Sequence, residues 1–567
     1  MRKLKLFSAD KVRDLRELVQ RAAKKYNGVV AYKQYDRKGD IVVYTFRQLL
    51  EDMNALGSIL VNRGYKGRKF AVIGDTSYQW ILSYLSVVNG VGVIVPIDKE
   101  LPNDDIAKLM NKSDVEGVFF GRTLEYDIED ILSKCPNVKT VIALDEVKEE
   151  NENKYLSLQE LITEGKTLVK NGFSEYTEAE IDVEKMSIII FTSGTMGANK
   201  GVMLSHKNIT SMLHSVFSMH RFEGTSISVL PIHHTYEFNL NVLGCIYAGV
   251  TLCINDSLKR VVPNLQIYKP NFTLMVPLIV ENLYKGIWRE AEKNGLAPHM
   301  KQGIWFSNIL RKFGLDNRRY YFKPVLDKFG GNLSMIVSGA APLRPEVVRG
   351  LDDLGISVYN GYGITECSPL VSFNCELLNI PGSVGRPIPC VEVRIADPDE
   401  NGVGEIQVKG DNVMIGFYKD EEATKATFTE DGWFKTGDLG KFGKKGVLEI
   451  RGRQKNLIIL ANGKNVHPEE LEDYLMDHIP YIKEVVVYAP ESAAEGMGYI
   501  SATAYLDPDF ITEHGEDEAK KLLEEDVRKC NRQLATYKHI NKVHLRLTEF
   551  EKTTTKKIKR HMLEKGE

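Results

Sequence analysis

The chain has 567 residues, with 74 basic side chains against 77 acidic ones and a formal net charge of −3. That near balance leaves no global field to draw the protein to nucleic acid or to an anionic membrane, which argues against a dedicated polyanion binder. An apolar content of 43% with only 20 prolines supplies cores for three or four folding units of roughly 150 residues each, and wholesale disorder is excluded with it. The longest apolar stretch, Ile81 to Ile97, is interrupted by Asn89, Gly90, Gly92 and Pro96. It falls short of the roughly 20 unbroken residues that cross a bilayer, and no spanning helix is expected. The seven cysteines are an odd number and contain no C-x-x-C pair, so they read as reduced thiols instead of a disulfide or zinc framework. Met1 to Phe7 is basic but leads into a charged helical pattern, with no secretory h-region; a cytoplasmic protein is expected.

In chain order, Val12, Leu15, Leu18, Val19, Ala22, Ala23 and Tyr26 fall at helical spacing behind a cap at Ser8, with Arg and Lys on the opposite face. That basic face could rest on anionic lipid as a peripheral membrane contact, while packing on its own domain is the commoner fate of such a helix. Short β-branched runs follow at Phe70–Ile73, Gly92–Pro96, Gly117–Phe120 and Thr140–Leu144, alternating with helical patterns at Phe46–Asn62 and Tyr78–Asn89. The same alternation returns at Ile188–Phe191, Ser226–Leu230, Thr251–Ile254, Thr273–Val276 and Met335–Ser338. It predicts parallel sheets covered by helices, with ligand-binding loops at the strand ends. After about Gly382 the texture shifts to brief strands and glycines (Val391–Ile395, Gly404–Lys409, Gly446–Arg451), a small β subdomain over roughly 382–454. Beyond Leu457 come a helix at Pro468–Asp477, strands near Glu484–Tyr488 and Ser501–Leu506, a charged helix at Glu516–Leu534 and a basic tail. The fold class is therefore α/β and α+β: an N-terminal domain over 1–454 with two parallel-type sheets, and a C-terminal α+β lobe over 455–567.

The segment Phe191-Thr-Ser-Gly-Thr-Met-Gly-Ala-Asn-Lys-Gly-Val202 follows a buried strand and is rich in hydroxyls and glycines. Glycines let backbone N–H groups turn inward, Thr192, Ser193 and Thr195 add hydroxyl donors, Gly194 relaxes the turn, and Lys200 supplies a positive charge, a set that can wrap phosphates. It is not a Walker loop, because Asn199 stands where the second glycine is needed and Gly201-Val202 resumes a strand. A flexible turn is the competing account. His233 and His234 lie in a loop after another buried strand; adjacent residues point apart and no further ligand occurs at metal spacing, so a metal is rejected.

The phosphate-wrapping segment resembles the signature of the adenylate-forming superfamily, which includes acyl-CoA synthetases, peptide-synthetase adenylation domains and luciferases. The family's remaining strings stand here in the same order: Leu230-Pro-Ile-His-His-Thr-Tyr-Glu-Phe238, Ser338-Gly-Ala-Ala-Pro-Leu343, Asn360-Gly-Tyr-Gly-Ile-Thr-Glu366, Thr436-Gly-Asp-Leu-Gly440, Arg451-Gly-Arg-Gln-Lys-Asn-Leu-Ile458 and Lys552-Thr-Thr-Thr-Lys-Lys-Ile-Lys-Arg560. The resemblance implies that Thr192, Ser193, Gly194, Thr195 and Lys200 hold phosphate and that Gly339, Ala340 and Ala341 lie against a flat ring. It places Asn360, Gly361 and Tyr362 at adenine, Thr365 at the α-phosphate, and Glu366 with Thr195 at Mg²⁺, a hard cation that prefers oxygen. It puts Asp438 and Arg453 on the ribose, His234 beside the substrate carboxylate, and Lys557 at the α-phosphate, where fixed positive charge stabilises the transferring group.

In most relatives a glycine precedes that lysine; Lys556 stands there in this chain, as in long-chain fatty acyl-CoA synthetases, whose tail reads T-P-T-x-K-x-K-R, and Thr554 replaces their proline. The register of Lys556 against Lys557 stays open, with Lys557 favoured. By the same resemblance the reaction has two stages: carboxylate plus Mg·ATP gives an acyl-adenylate and pyrophosphate, then coenzyme A displaces AMP to give a thioester. Between them a mobile C-terminal lobe pivots at Lys455. An enzyme loading an acyl carrier protein, a luciferase-like oxygenase and a non-enzymatic adenine-nucleotide sensor are the alternatives.

Overall fold

A computed structural model describes residues 4–148, 154–192, 199–460, 465–490, 499–552 and 558–563. The chain divides into two compact units: Met1–Glu392 with Val408–Phe434 and Lys445–Val447, and Val393–Gln407 with Lys435–Lys444 and Leu448–Glu567.

The first unit holds two large sheets. In one the strands run in the order Arg386–Pro387, Leu370–Phe373, Ser357–Gly363, Met335–Ser338, Phe272–Met275, Thr225–Ser228, Thr251–Ile254, Val30–Tyr35 and Ile41–Thr45. Its six central strands are parallel, as the alternation of strands and helices predicts, while antiparallel pairs close both edges. In the other the order is Gly416–Phe417, Lys200–Ser205, Met186–Thr192, Gly92–Pro96, Arg68–Ile73, Gly117–Phe120, Thr140–Ala143 and Leu156–Ser157. Here too the interior is parallel, and the hairpin Met186–Thr192/Lys200–Ser205 makes the antiparallel edge. Ile73, Val95, Phe120 and Ile189 from this sheet pack with Ile106 and Ile128 from its helices. Each such side chain contributes about 1.5–3 kcal/mol by leaving water.

The helix Phe46–Asn62 begins where Thr45 accepts a hydrogen bond from the Gln48 amide at 3.1 Å. Phe46, Leu49, Met53, Leu56 and Leu60 form its buried stripe. It packs tightly on the helix Leu158–Lys170, where a Cβ at Gly165 would lie 2.1 Å from the Ala55 carbonyl oxygen. Only glycine allows the two backbones to approach that closely.

The amino-terminal helix runs over Leu15–Lys25 and is capped by Asp14, which accepts from the Glu17 amide at 2.8 Å, not by Ser8. Its apolar face is buried, and so is Arg16, whose guanidinium donates to the carbonyls of Asn89, Tyr176 and Ala179. Arg21 turns to Asp10 and the Tyr247 ring. Arg16 and Arg21 of the basic face are thus spent on the protein itself, while Arg13, Lys24 and Lys25 stay exposed. The pattern expected over Tyr78–Asn89 is an α-helix only to Ser86; a wider π-type turn over Val87–Val91 follows, broken at Gly90 by a φ of +144°. Among the described residues no helix is long and apolar enough to cross a membrane. The seven cysteines form no disulfide, and all but Cys390 are buried.

The second unit contains most of a four-stranded sheet, Val391–Ala396, Gly404–Gly410, Phe434–Phe442 and Leu448–Arg453. It also contains a three-stranded sheet, Ile482–Tyr488, Ile500–Leu506 and Ile540–Arg546, with the helices Pro468–His478 and Glu516–Asn531. Leu471, Leu475, Val485, Val487, Ala502 and Leu523 build its core. The last helix stops three residues before the predicted Leu534.

Candidate active site

In open α/β sheets ligands bind outside the carboxyl ends of the strands, and the first unit gathers its chemistry there. The strand Thr225–Ser228 leads to His233 and His234, Met335–Ser338 leads to Gly339, Ala340 and Ala341, and Ser357–Gly363 carries Asn360, Gly361 and Tyr362 into Thr365 and Glu366. Ser338 and Asn360 are register partners in adjacent parallel strands. A Cβ at Gly339 would stand 3.3 Å from the Tyr236 ring and 3.4 Å from the Gly361 carbonyl oxygen, so the absence of a side chain sets the spacing. Ala340 takes a left-handed φ of +73°, which turns the chain abruptly away from the strand and leaves Ala340 and Ala341 exposed. Asn360 and Tyr362 are buried, and the Asn360 Oδ1 and Ser338 Oγ are buried without a hydrogen-bond partner among the described residues. Such an orphaned acceptor is costly unless a ligand group meets it.

A π-type helix over Tyr236–Val242 carries the aromatic ring into this cluster. The Tyr236 hydroxyl donates to the Val337 carbonyl at 3.0 Å, at the end of the neighbouring strand. Glu237 is fully buried on the same helix, where its Oε1 accepts from Asn241 at 2.8 Å. Burial pushes the Glu237 carboxyl up to about 7, against the opposing pull of the Ser228 hydroxyl, the Asn241 amide and the Leu230 backbone. Wide helical turns of this kind recur at functional sites.

The His233 and His234 rings do not point apart: their centroids are 4.1 Å from each other, with the planes tilted by 46°. Burial lowers His233 to about 4, and burial with the adjacent His233 lowers His234 to about 3, so both imidazoles are neutral near pH 7. His233 Nε2 lies 3.6 Å from the Asp98 carboxylate, which follows the strand Gly92–Pro96 of the other sheet. Loops at the carboxyl ends of both sheets therefore meet at this pair.

Thr192 and Lys200 face each other as the last pair of the hairpin. Lys200 Nζ stands 4.8 Å from the centre of the Phe417 ring, and Lys112 Nζ donates to the Asn199 carbonyl at 2.6 Å. The segment from Asn412 to Tyr418 ties this hairpin to the Thr365–Glu366 turn. Asn412 Nδ2 donates to the carbonyls of Cys367 and Leu370, the Met414 amide to Glu366 at 2.8 Å, and the Ile415 amide to Met203 at 3.0 Å. Asp98, Asn412 and Met414 were not singled out by sequence reasoning; each is an ordinary residue whose role comes from a contact distant in the chain.

Within the second unit Asp438 and Arg453 are cross-strand partners, with Nε–Oδ1 at 2.8 Å and Asp438 buried. Thr436 fixes the approach: its hydroxyl donates to the Ile406 carbonyl at 2.7 Å and accepts from the Asp438 amide. Lys455 lies in a single 3-10 turn after Arg453. Loss of water around its ammonium, then the positive charges of Arg453 and Arg560, lower its pKa. Lys552 and Ile558 pair by an antiparallel bridge, Lys552 is ion-paired with Glu484, and Arg560 with the buried Glu472. Ser193, Gly194, Thr195, Lys556 and Lys557 lie outside the described residues. Among the described residues no cluster of His, Cys, Asp and Glu could by itself hold a metal ion.

Comparison with known proteins adds three kinds of likeness. The chain is 27% identical to long-chain-fatty-acid–CoA ligase 6 of Mus musculus, over 83% of this chain and 71% of that one. It is 28% identical to a peroxisomal long chain acyl-CoA synthetase 6 of Arabidopsis thaliana, over 85% and 71%. Among solved structures, ATP-bound MatB from Rhodopseudomonas palustris superposes with a TM-score of 0.74 at 24% identity, covering 97% of this chain and 98% of that one. The adenylation domain of a carboxylate reductase from Mycobacterium chelonae gives 0.78 at 20% identity, covering 97% and 89%, which establishes the shared fold. The AMP-binding enzyme profile matches residues 19–418 and the AMP-binding enzyme C-terminal domain profile matches 455–566, so the chain belongs to the AMP-binding enzyme family.

Proposed function

We propose that the chain is an AMP-forming acid–thiol ligase that activates a medium- or long-chain fatty acid with ATP and passes the acyl group to coenzyme A. The observation that carries this reading is the convergence of Gly339, Asn360, Tyr362, Thr365 and Glu366 at the ends of adjacent strands, in a family whose similar members bear long-chain acyl-CoA synthetase names. The buried, unpartnered Asn360 Oδ1 suits the amino edge of adenine, and the buried Tyr362 ring suits its face. Asp438, oriented by Arg453 and Thr436, is the acceptor for the ribose hydroxyls. Glu366 offers a hard oxygen ligand for Mg²⁺, the remaining ligands coming from phosphate and water, as is usual for that ion. When bound, the metal neutralises phosphate charge.

In the first stage a carboxylate oxygen attacks the α-phosphorus and the bond to pyrophosphate breaks. His234, neutral in its buried loop, orients that carboxylate by a hydrogen bond, and Thr365 and Lys557 hold the charge that builds on the α-phosphate. In the second stage the thiol sulfur attacks the acyl carbon and AMP leaves, after a pivot at Lys455. The test is pyrophosphate release across carboxylic acids of increasing length, with coenzyme A, with a holo acyl carrier protein and with neither. Acid-dependent release rising toward long chains, and thioester formation on coenzyme A, are expected. ATP binding with no acid-dependent release would leave a nucleotide sensor. In the same assay Lys557→Ala abolishes adenylate formation and spares thioester formation from supplied acyl-adenylate; equal loss of both stages removes the role given to Lys557.

A further inference from the structure

The helical segment between the strands Phe272–Met275 and Met335–Ser338 carries a surface that the site does not use. Trp305, Phe313, Leu315 and Tyr320 are 68%, 78%, 60% and 80% exposed, and Phe306 and Tyr321 are exposed beside them. Phe306, Tyr320 and Tyr321 form a ring cluster, with centroids 6.1 Å apart for Phe306 and Tyr321 and 6.0 Å for Tyr320 and Tyr321, and Trp305, Phe313 and Leu315 are exposed on the same stretch of chain. Large aromatic side chains gathered on one surface, as opposed to scattered singly, mark an interaction site. The segment's own charge is one-sided, and acids of neighbouring elements offset part of it. Residues 297–328 contain seven Lys and Arg against two Asp, in a chain whose total is −3. Arg318 pairs with Asp316 and Asp352, Arg311 with Asp352, Lys323 with Asp327 and Lys328 with Glu290, which leaves Lys301 and Lys312 with no ion pair among the described residues. On the helix Ala297–Lys312, Lys301, Trp305 and Lys312 fall on one outward stripe, while Met300 and Ser307 face the protein.

We propose that this surface docks on an anionic lipid bilayer. Tryptophan and tyrosine favour the boundary between headgroups and acyl chains, where an apolar ring and a polar edge are both satisfied, and flanking lysines reach the phosphates with their long stems along the apolar layer. A second copy of this chain presents the same positive surface, and a twofold contact would set like charges together. The amino-terminal helix, which the sequence offered for this role, buries its apolar face and turns Arg16 and Arg21 inward, so the lipid-facing surface lies on helices 297–312 and 318–321 instead. The inference stands on the patch alone and does not depend on the ligase reading, because vesicle binding is read without catalysis.

The test is co-sedimentation of the whole protein with phosphatidylcholine vesicles lacking or containing about 30% phosphatidylserine. Binding to the anionic vesicles only, falling as salt is raised, is expected. Lys301→Gln with Lys312→Gln weakens it roughly 30-fold, and Trp305→Ser with Phe313→Ser on the order of tenfold or more. Both pairs keep the wild-type melting temperature and pyrophosphate release with a short soluble acid. Wild-type protein that ignores anionic vesicles, or binding that neither pair weakens, overturns the proposal. So does a dimer of the free protein that these variants split, which would give the patch to a second copy.

Discussion

Glu237 makes an internal probe of the π-type helix that carries Tyr236 into the site. Its carboxyl is buried and held at about 7, against an ordinary value of 4.5. Below pH 4.5 folded and unfolded chains both carry the proton. Between 4.5 and 7 the unfolded chain loses it while the folded chain keeps it, so rising pH favours unfolding across that window and adds nothing above it. At 1.36 kcal/mol per pH unit the loss is about 3 kcal/mol. Spread over a unit of several hundred residues, that is about 3 °C in Tm. Glutamine copies the neutral acid and can still accept from Asn241, so Glu237→Gln abolishes the pH dependence and leaves stability at low pH nearly unchanged. The raw curve does not isolate the effect. His206, His220 and His233, lowered to about 4, and His234, lowered to about 3, pull the other way. Their contribution is present above 6.5 and is lost as pH falls through the folded values. The readout is therefore the Tm difference between variant and wild type from pH 4.5 to 7.5. It should grow by a few degrees up to pH 7 and then level; a flat difference refutes the reasoning.

Two further outcomes follow from geometry. Asp438→Asn keeps the side-chain shape but loses the charge that Arg453 orients, and a charge-assisted hydrogen bond of about 1.5–3 kcal/mol then appears as a roughly tenfold or greater rise in KM for ATP, measured by pyrophosphate release; an unchanged KM removes Asp438 from the ribose site. Gly165→Ala drives a methyl group against the Ala55 backbone and costs about 1–3 kcal/mol by overpacking, seen as a lower Tm with no change in KM; an unchanged Tm would show that the two helices separate at little cost.

Much of this architecture was legible because its elements obey one period each. The helix Phe46–Asn62 has an apolar face, a capping threonine and no competing partner, and its bounds were read directly. The parallel strands are continuous apolar runs, as burial on both faces requires. What was missed depends on contacts distant in the sequence. Ser8 has the chemistry of a cap, but Asp14 is buried against the body and takes the role. The helix from Tyr78 ends three residues early because Gly90 turns with a positive φ, and Arg16, remote in sequence, takes up the freed Asn89 carbonyl. For the site, contiguous strings let residues be proposed from the sequence, whereas Asp98 and Asn412 carry no local mark. The patch at Trp305 and Phe313 was invisible for the opposite reason: its residues look like core until the fold leaves them outside.

An enzyme that makes an activated acyl phosphate anhydride on the way to a thioester faces a hazard from its own sulfur. The reactive species is the thiolate, and burial raises the pKa of Cys135, Cys245, Cys253, Cys375, Cys390 and Cys530, Cys253 to about 12 and Cys390 to about 11. At neutral pH these sulfurs stay protonated, and all but Cys390 are buried, which makes them poor rivals to an incoming nucleophile. Those six thiols therefore offer an incoming acceptor little competition for an activated acyl group.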